Sequence, residues 1–184
     1  MKRLTILPLA ALALASCNQK SVSLTNATPE EVAKASKENG PKLSPGRWET
    51  KVEILDISMP GMPPGFAEKM TEQMKSAAST VASCIKPEDV DKPNTELFSG
   101  QKGSGCTFGK YEMSNGTIDA EMTCPGKGAS GTMTMKMKGT FQPDAVTVEN
   151  EADVSGGPGG KGMHEKVRVT AHRTGECNGS EKGA

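Results

Sequence analysis

The dipeptide Asn115-Gly116 lies between two runs of alternating apolar and polar residues, and this arrangement constrains the chain more than any other feature of it. Asn and Gly both accept positive φ, so the chain reverses there in a two-residue turn. Folding at that point sets Met113 opposite Ile118 and Tyr111 opposite Ala120. Continued without a break, the register sets Gly109 opposite Met122 and throws Cys106 onto the other face from Cys124. One extra residue at Gly109, a β-bulge, brings Phe108 opposite Met122 and Cys106 opposite Cys124. A single insertion repairs both the apolar face and the sulfur geometry, and it predicts a Cys106–Cys124 bridge.

A second hairpin turns at Gln142-Pro143-Asp144-Ala145, with Pro where a type I turn favours it. It opposes Phe141 to Val146, Met135 to Ala152 and Met133 to Val154, and leaves Thr132, Thr134, Lys136 and Lys138 outward. A last strand carries Val167, Val169 and Ala171 inward and Arg168, Thr170 and His172 outward. Upstream, Trp48, Thr50, Val52 and Ile54 alternate with charged residues, and Thr80 to Ile85 reads as a short strand carrying Cys84. Between them, Met59-Pro60-Gly61-Met62-Pro63-Pro64-Gly65 breaks regular structure. Phe66, Met70 and Met74 recur at helical spacing, which predicts an amphipathic helix over 66–77. Residues 86–104 read as a polar connection with one helical turn after Pro87. The expected fold class is mainly β (α+β). It is a curved antiparallel sheet of about seven strands with one packed amphipathic helix and two disulfides.

The N-terminus carries a different message. Met1-Lys2-Arg3 precedes an apolar run from Leu4 to Ala15, too short to span a bilayer, and the pattern is a secretory signal. It ends Leu14-Ala15-Ser16-Cys17, which resembles the bacterial lipobox, whose Cys is acylated and becomes the first mature residue. The expected organisation is a lipoprotein signal peptide over 1–16, then lipidated Cys17 and a polar tether to residue 44. A disulfide-bonded β domain follows over 45–177, with a flexible tail over 178–184. Within the tether, Thr28-Pro29-Glu30-Glu31 forms a capping box for a short helix, marginal by itself because only Val32, Ala33 and Ala35 are apolar. Asn18 in place of Asp points to the outer membrane, facing the periplasm. Removal of residues 1–16 leaves 168 residues, with 20 Lys+Arg against 22 Asp+Glu. Setting Cys17 aside leaves four Cys, an even number that implies two disulfides in an oxidising compartment. Elimination pairs Cys84 with Cys177.

Several landmarks occur together and in order: Asn26-Ala-Thr-Pro-Glu-Glu-Val-Ala33, Pro45-Gly-Arg-Trp-Glu-Thr50, Met59-Pro-Gly-Met-Pro63, Ser83-Cys-Ile-Lys-Pro-Glu88, Asp119-Ala-Glu-Met-Thr-Cys124, the Met133/Met135/Met137 strand and Thr174-Gly-Glu-Cys177. With these the chain resembles the domain of unknown function 3617 family, small secreted or lipid-anchored proteins of Gram-negative bacteria. The resemblance covers residues 26–177 and implies no reaction, cofactor or partner. The sequence departs from the family pattern at Ala171-His172-Arg173, where a small residue is expected before a basic one.

Composition narrows the functional classes. With 22 Lys+Arg against 22 Asp+Glu there is no basic stripe to neutralise phosphates, so nucleic acid is excluded as a partner. Gly159-Gly160-Lys161-Gly162 lacks the spacing and the Ser/Thr of a phosphate loop, and Gly128-Ala129-Ser130-Gly131 is one residue short of a nucleophile elbow. His164 and His172 sit at outward parity with no nucleophile beside them. No catalytic residues and no cofactor are expected. The reading is a non-catalytic binding or envelope-maintenance lipoprotein, held to the membrane by its lipid, with an envelope protein or a small apolar ligand as partner. Eleven Met beside six aromatics supply the alternative. Thioethers select Cu(I), and the loop residues Met59, Met62 and Met163 with His164 are the candidate ligands. Against that, Met also fills core gaps that aromatics would otherwise take. An uncharacterised envelope enzyme ranks third.

Overall fold

The computed structural model describes residues 21–61, 65–77, 80–90, 105–126, 131–156 and 162–181. Among them are strands β1 (Val22–Leu24), β2 (Gly46–Ser58), β3 (Val81–Ile85), β4 (Thr107–Ser114), β5 (Thr117–Pro125), β6 (Thr132–Gln142), β7 (Ala145–Val154) and β8 (Met163–Gly175). Two helices, α1 (Pro29–Asn39) and α2 (Phe66–Ala77), and a 3₁₀ turn over Pro87–Asp89 complete the elements. The strands form one open antiparallel sheet in the order β1-β4-β5-β6-β7-β8-β2-β3.

The first hairpin turns on Asn115 and Gly116, at φ 52° and 73°. Its register pairs Met113 with Ile118 and Tyr111 with Ala120, then shifts between Phe108 and Lys110 so that Phe108 faces Met122. Cys106 is bonded to Cys124, and Cys84 to Cys177. Gly109 has no left-handed φ, and a Cβ there would meet nothing within 4 Å. Glycine's conformational freedom therefore does not hold the bulge; the apolar register and the disulfide do. Gly139 differs. It lies between Ile118 and Val148, and a Cβ on it would run into the Thr147 carbonyl oxygen and lie 2.8 Å from Val148 Cα.

The strand count is eight because β1 forms where a tether was expected. Its three residues pair with the end of β4, and Val22 is buried. Helix α1 follows with a complete capping box: the Thr28 side chain accepts from Glu31 N–H, and the Glu31 carboxylate accepts from Thr28 N–H at 2.8 Å. Val32 and Ser36 are fully buried, and Ser36 Oγ lies 2.6 Å from Tyr111 OH in a hydrogen bond. Residues 22–43 are thus part of the fold, down to buried Leu43, rather than a tether reaching to 44. The physical reason is that β4 offers an unpaired edge and Tyr111 a buried hydroxyl, and this segment satisfies both.

Both helices read from the sequence are present, but the core takes its helical residues from α1, the one expected to be marginal. Helix α2 lies alongside β2, but Phe66 is 44% exposed. At the other end of the chain, Glu181 is buried within the segment expected as a flexible tail over 178–184. Its carboxylate accepts from Asn178 N–H at 3.0 Å and Gly179 N–H at 2.9 Å, and lies 3.7 Å from Arg47. No helix among the described residues is long and apolar enough to cross a membrane.

Val32→Ala should lower stability by about 2 kcal/mol, the cost of a small cavity in a packed core. Denaturant unfolding checks this. An unchanged midpoint would mean that α1 is not part of the cooperative unit.

Candidate functional site

Alternation along the strands divides the sheet into an apolar face and a charged face, and each carries a candidate site. On the charged face, cross-strand neighbours are mostly opposite charges. Arg168 donates to Glu149 at 2.6 Å, Lys166 lies 3.3 Å from the same carboxylate, and Lys110 and Lys138 flank Asp119 at 3.1 and 3.6 Å. Arg168 and Lys166 hold the Glu149 carboxyl below its usual range, and Lys110 does the same for Asp119.

The end of this face near Ser155 and Gly162 is different. His164 opposes Asp153 in register and their side chains hydrogen-bond, Nδ1 to Oδ1, at 2.8 Å. His164 Nε2 lies 3.7 Å from Asp56 Oδ2 on β2. Glu151, Asp153 and His164 each present a ligand-capable atom, all within 4.8 Å of one another. The hydrogen bond to Asp153 holds the imidazole pKa above its ordinary value, and the charges of Asp153, Glu151 and Asp56 act in the same direction. A cleft of about 410 Å³ opens beside them, lined in part by Thr132, Asp153, Ser155, Met163 and His164.

The apolar face is closed at one side and open at the other. Beneath α1, Phe108, Tyr111, Ile118 and Met122 are buried, and the Phe108 and Tyr111 rings meet edge to face at 5.8 Å. Toward β8 and β2 the same face opens: Val167, Val169 and Ile54 are half-buried and Val52 is 40% exposed. Polar residues share this face: Thr50 opposite Ala171, Glu165 opposite Ala152 and Ile57, and Asn150. Asn150 lies in register between Met137 and Val167, and its Oδ1 is shut off from solvent without a hydrogen-bond partner. Buried acceptors of this kind are few in folded proteins.

The residues named from sequence are distributed unevenly over these sites. Met137 is buried, and Met133 and Met135 pack against the core, so the Met strand serves as core filler. Met59 and Met163 are half-buried. His164, grouped with them as a candidate Cu(I) ligand, has both nitrogens turned toward carboxylates. Met62, Cys17, Ser130 and Gly159 to Lys161 lie outside the described residues. His172 has a looser neighbour, Glu49 at 4.0 Å. Asp153, Glu151 and Asp56 escaped the sequence reading. The second hairpin's register, extended one strand further, contained the signal for the first two.

Residues 43–177 match a family described as proteins of unknown function, DUF3617. No curated protein and no solved structure matches the chain.

Asn150→Val should raise stability by about 1 kcal/mol, because it removes a buried acceptor that no donor satisfies. Denaturant unfolding of the variant tests this, and a loss of stability would show that the amide is hydrogen-bonded in the native protein.

Proposed function

We propose that this chain, which belongs to the DUF3617 family of proteins of unknown function, is a non-catalytic periplasmic lipoprotein that holds a small apolar ligand against the open half of its sheet. Cleavage before Cys17 and acylation of its thiol supply the anchor, at the outer membrane. The observation that carries the binding part is the partly exposed strip of Val52, Ile54, Val167 and Val169, beside a closed core on one side. A partly exposed and mainly apolar surface suits an apolar ligand.

The short distance between anchor and fold favours a ligand over a distant protein partner. Val22 begins β1 only five residues after Cys17, a span of at most about 18 Å. A tether running to residue 44 would have reached several nanometres; this one keeps the domain close to the lipid surface. An apolar molecule is most available there, and long reach is no longer an argument for an envelope protein.

Native mass spectrometry of the protein, compared with its denatured mass, should show a bound apolar molecule. Val169→Asp should lose both that excess and the binding of the probe N-phenyl-1-naphthylamine. A native mass without excess, together with no probe binding by the unaltered protein, would overturn the binding reading. The anchor has its own test: Cys17→Ser should abolish palmitate labelling and leave an uncleaved precursor, whereas continued processing at residue 16 would refute lipidation.

A further inference from the structure

We propose that His164, with Asp56, Asp153 and Glu151 around it, forms a binding site for one divalent transition-metal cation of the zinc class. The first ground is charge. On the same face Glu49, Glu53, Asp119 and Glu149 each have a Lys or Arg within 4.0 Å. Among the described residues, no Lys or Arg forms such a pair with Asp56, Glu151 or Asp153; the imidazole pairs with Asp56 and Asp153, and Glu151 has an oxygen within 4.8 Å of it. Lys136 and Lys166 flank Glu151 in register, and Lys166 also stands opposite Asp56, without pairing with either; Lys166 is engaged by Glu149 at 3.3 Å. Three carboxylates therefore converge on one histidine with negative charge left over, and a cation supplies what is missing.

The second ground is geometry. Asp153 accepts from Nδ1 at 2.8 Å, which fixes the ring and leaves Nε2 directed at Asp56. A carboxylate holding the far nitrogen of a ligating histidine is the usual outer-shell arrangement of zinc sites. The 3.7 Å between Nε2 and Asp56 Oδ2 is too long for a hydrogen bond. It is close to the roughly 3.4 Å that separates two tetrahedral ligands each about 2.1 Å from one ion. The cleft lined by His164 and Asp153, with Thr132 and Ser155 at its wall, leaves space for water on one side of the ring. Imidazole with carboxylates selects a borderline cation such as Zn²⁺ over Mg²⁺, and over Cu(I), which prefers sulfur.

The site is independent of the apolar face, so this proposal and the ligand reading stand or fall separately. The whole protein, stripped with chelator and dialysed, is titrated with ZnCl₂ by calorimetry. The expected result is one Zn²⁺ per chain, with His164→Gln and Asp56→Asn each weakening binding about tenfold or more and Asp153→Asn about tenfold. His172→Gln should bind as the unaltered protein does. Absence of saturable binding, or binding that His164→Gln leaves intact, overturns the proposal. Ring NMR signals of the unaltered protein give a reading that needs no variant to fold. Zn²⁺ should move the His164 resonances and leave those of His172 in place, and movement of both alike or of neither would refute the site.

Discussion

The parity of one hairpin governs this molecule. β4 through β8 follow one another as antiparallel neighbours, so the face assigned to Met113 and Ile118 at the Asn115-Gly116 turn is passed across to Val167 and Val169. A one-residue slip anywhere in that series would exchange the apolar and charged faces. The Cys106–Cys124 bond sits where slippage would start, at the end of the hairpin beyond its bulge. It is a local clasp, spanning 18 residues, whereas Cys84–Cys177 spans 93 and ties the β3 edge to the chain end after β8. By loop-closure entropy the two together restrict the unfolded chain by several kcal/mol. A sheet with half of one apolar face uncovered depends on such support.

The strand faces were legible because period-two alternation is a local property of the chain. Val146, Val148, Ala152 and Val154 announce their side without reference to anything distant. What β1 and α1 do was not legible in the same way. The capping box showed where the helix starts, but its apolar stripe is too thin to mark it as a core element. The stripe is thin because α1 docks through one fully buried Val and one Ser, and the hydroxyl of Ser36 has meaning only beside that of Tyr111, seventy-five positions away. The reverse holds for 66–77. Its spacing of Phe66, Met70 and Met74 suggested a covering helix, yet spacing says nothing about which surface is left to cover.

The histidine cluster divides along the same line. Asp153 opposite His164 follows from the second hairpin once β8 is added, so that pair was available from register alone. Asp56 was not. On β2 the odd-numbered residues from Arg47 to Glu53 face the charged side, and strict alternation would place Asp56 on the apolar side. The register shift between Ile54 and Asp56 absorbs Leu55 as an extra residue and turns Asp56 toward the charged face, where it meets His164. The only sequence mark of that bulge is Leu55 at a position where a polar residue belongs, and Leu55 is 36% exposed.

The two faces divide the physical demands between them. A carboxylate buried among apolar side chains would have to be desolvated, and Glu165, on the apolar face opposite Ala152 and Ile57, is only half-buried. On the charged face, with the side chains of Asp56 and Asp153 more than half exposed, water screens the repulsion and the fold does not depend on its relief. The cluster lies beside Ser155 and Gly162, while β1 pairs at the opposite end of the sheet, next to the Asn115-Gly116 turn. Under the proposed anchoring at Cys17, a cation-binding end would face away from the lipid surface and the open apolar strip would run between the two.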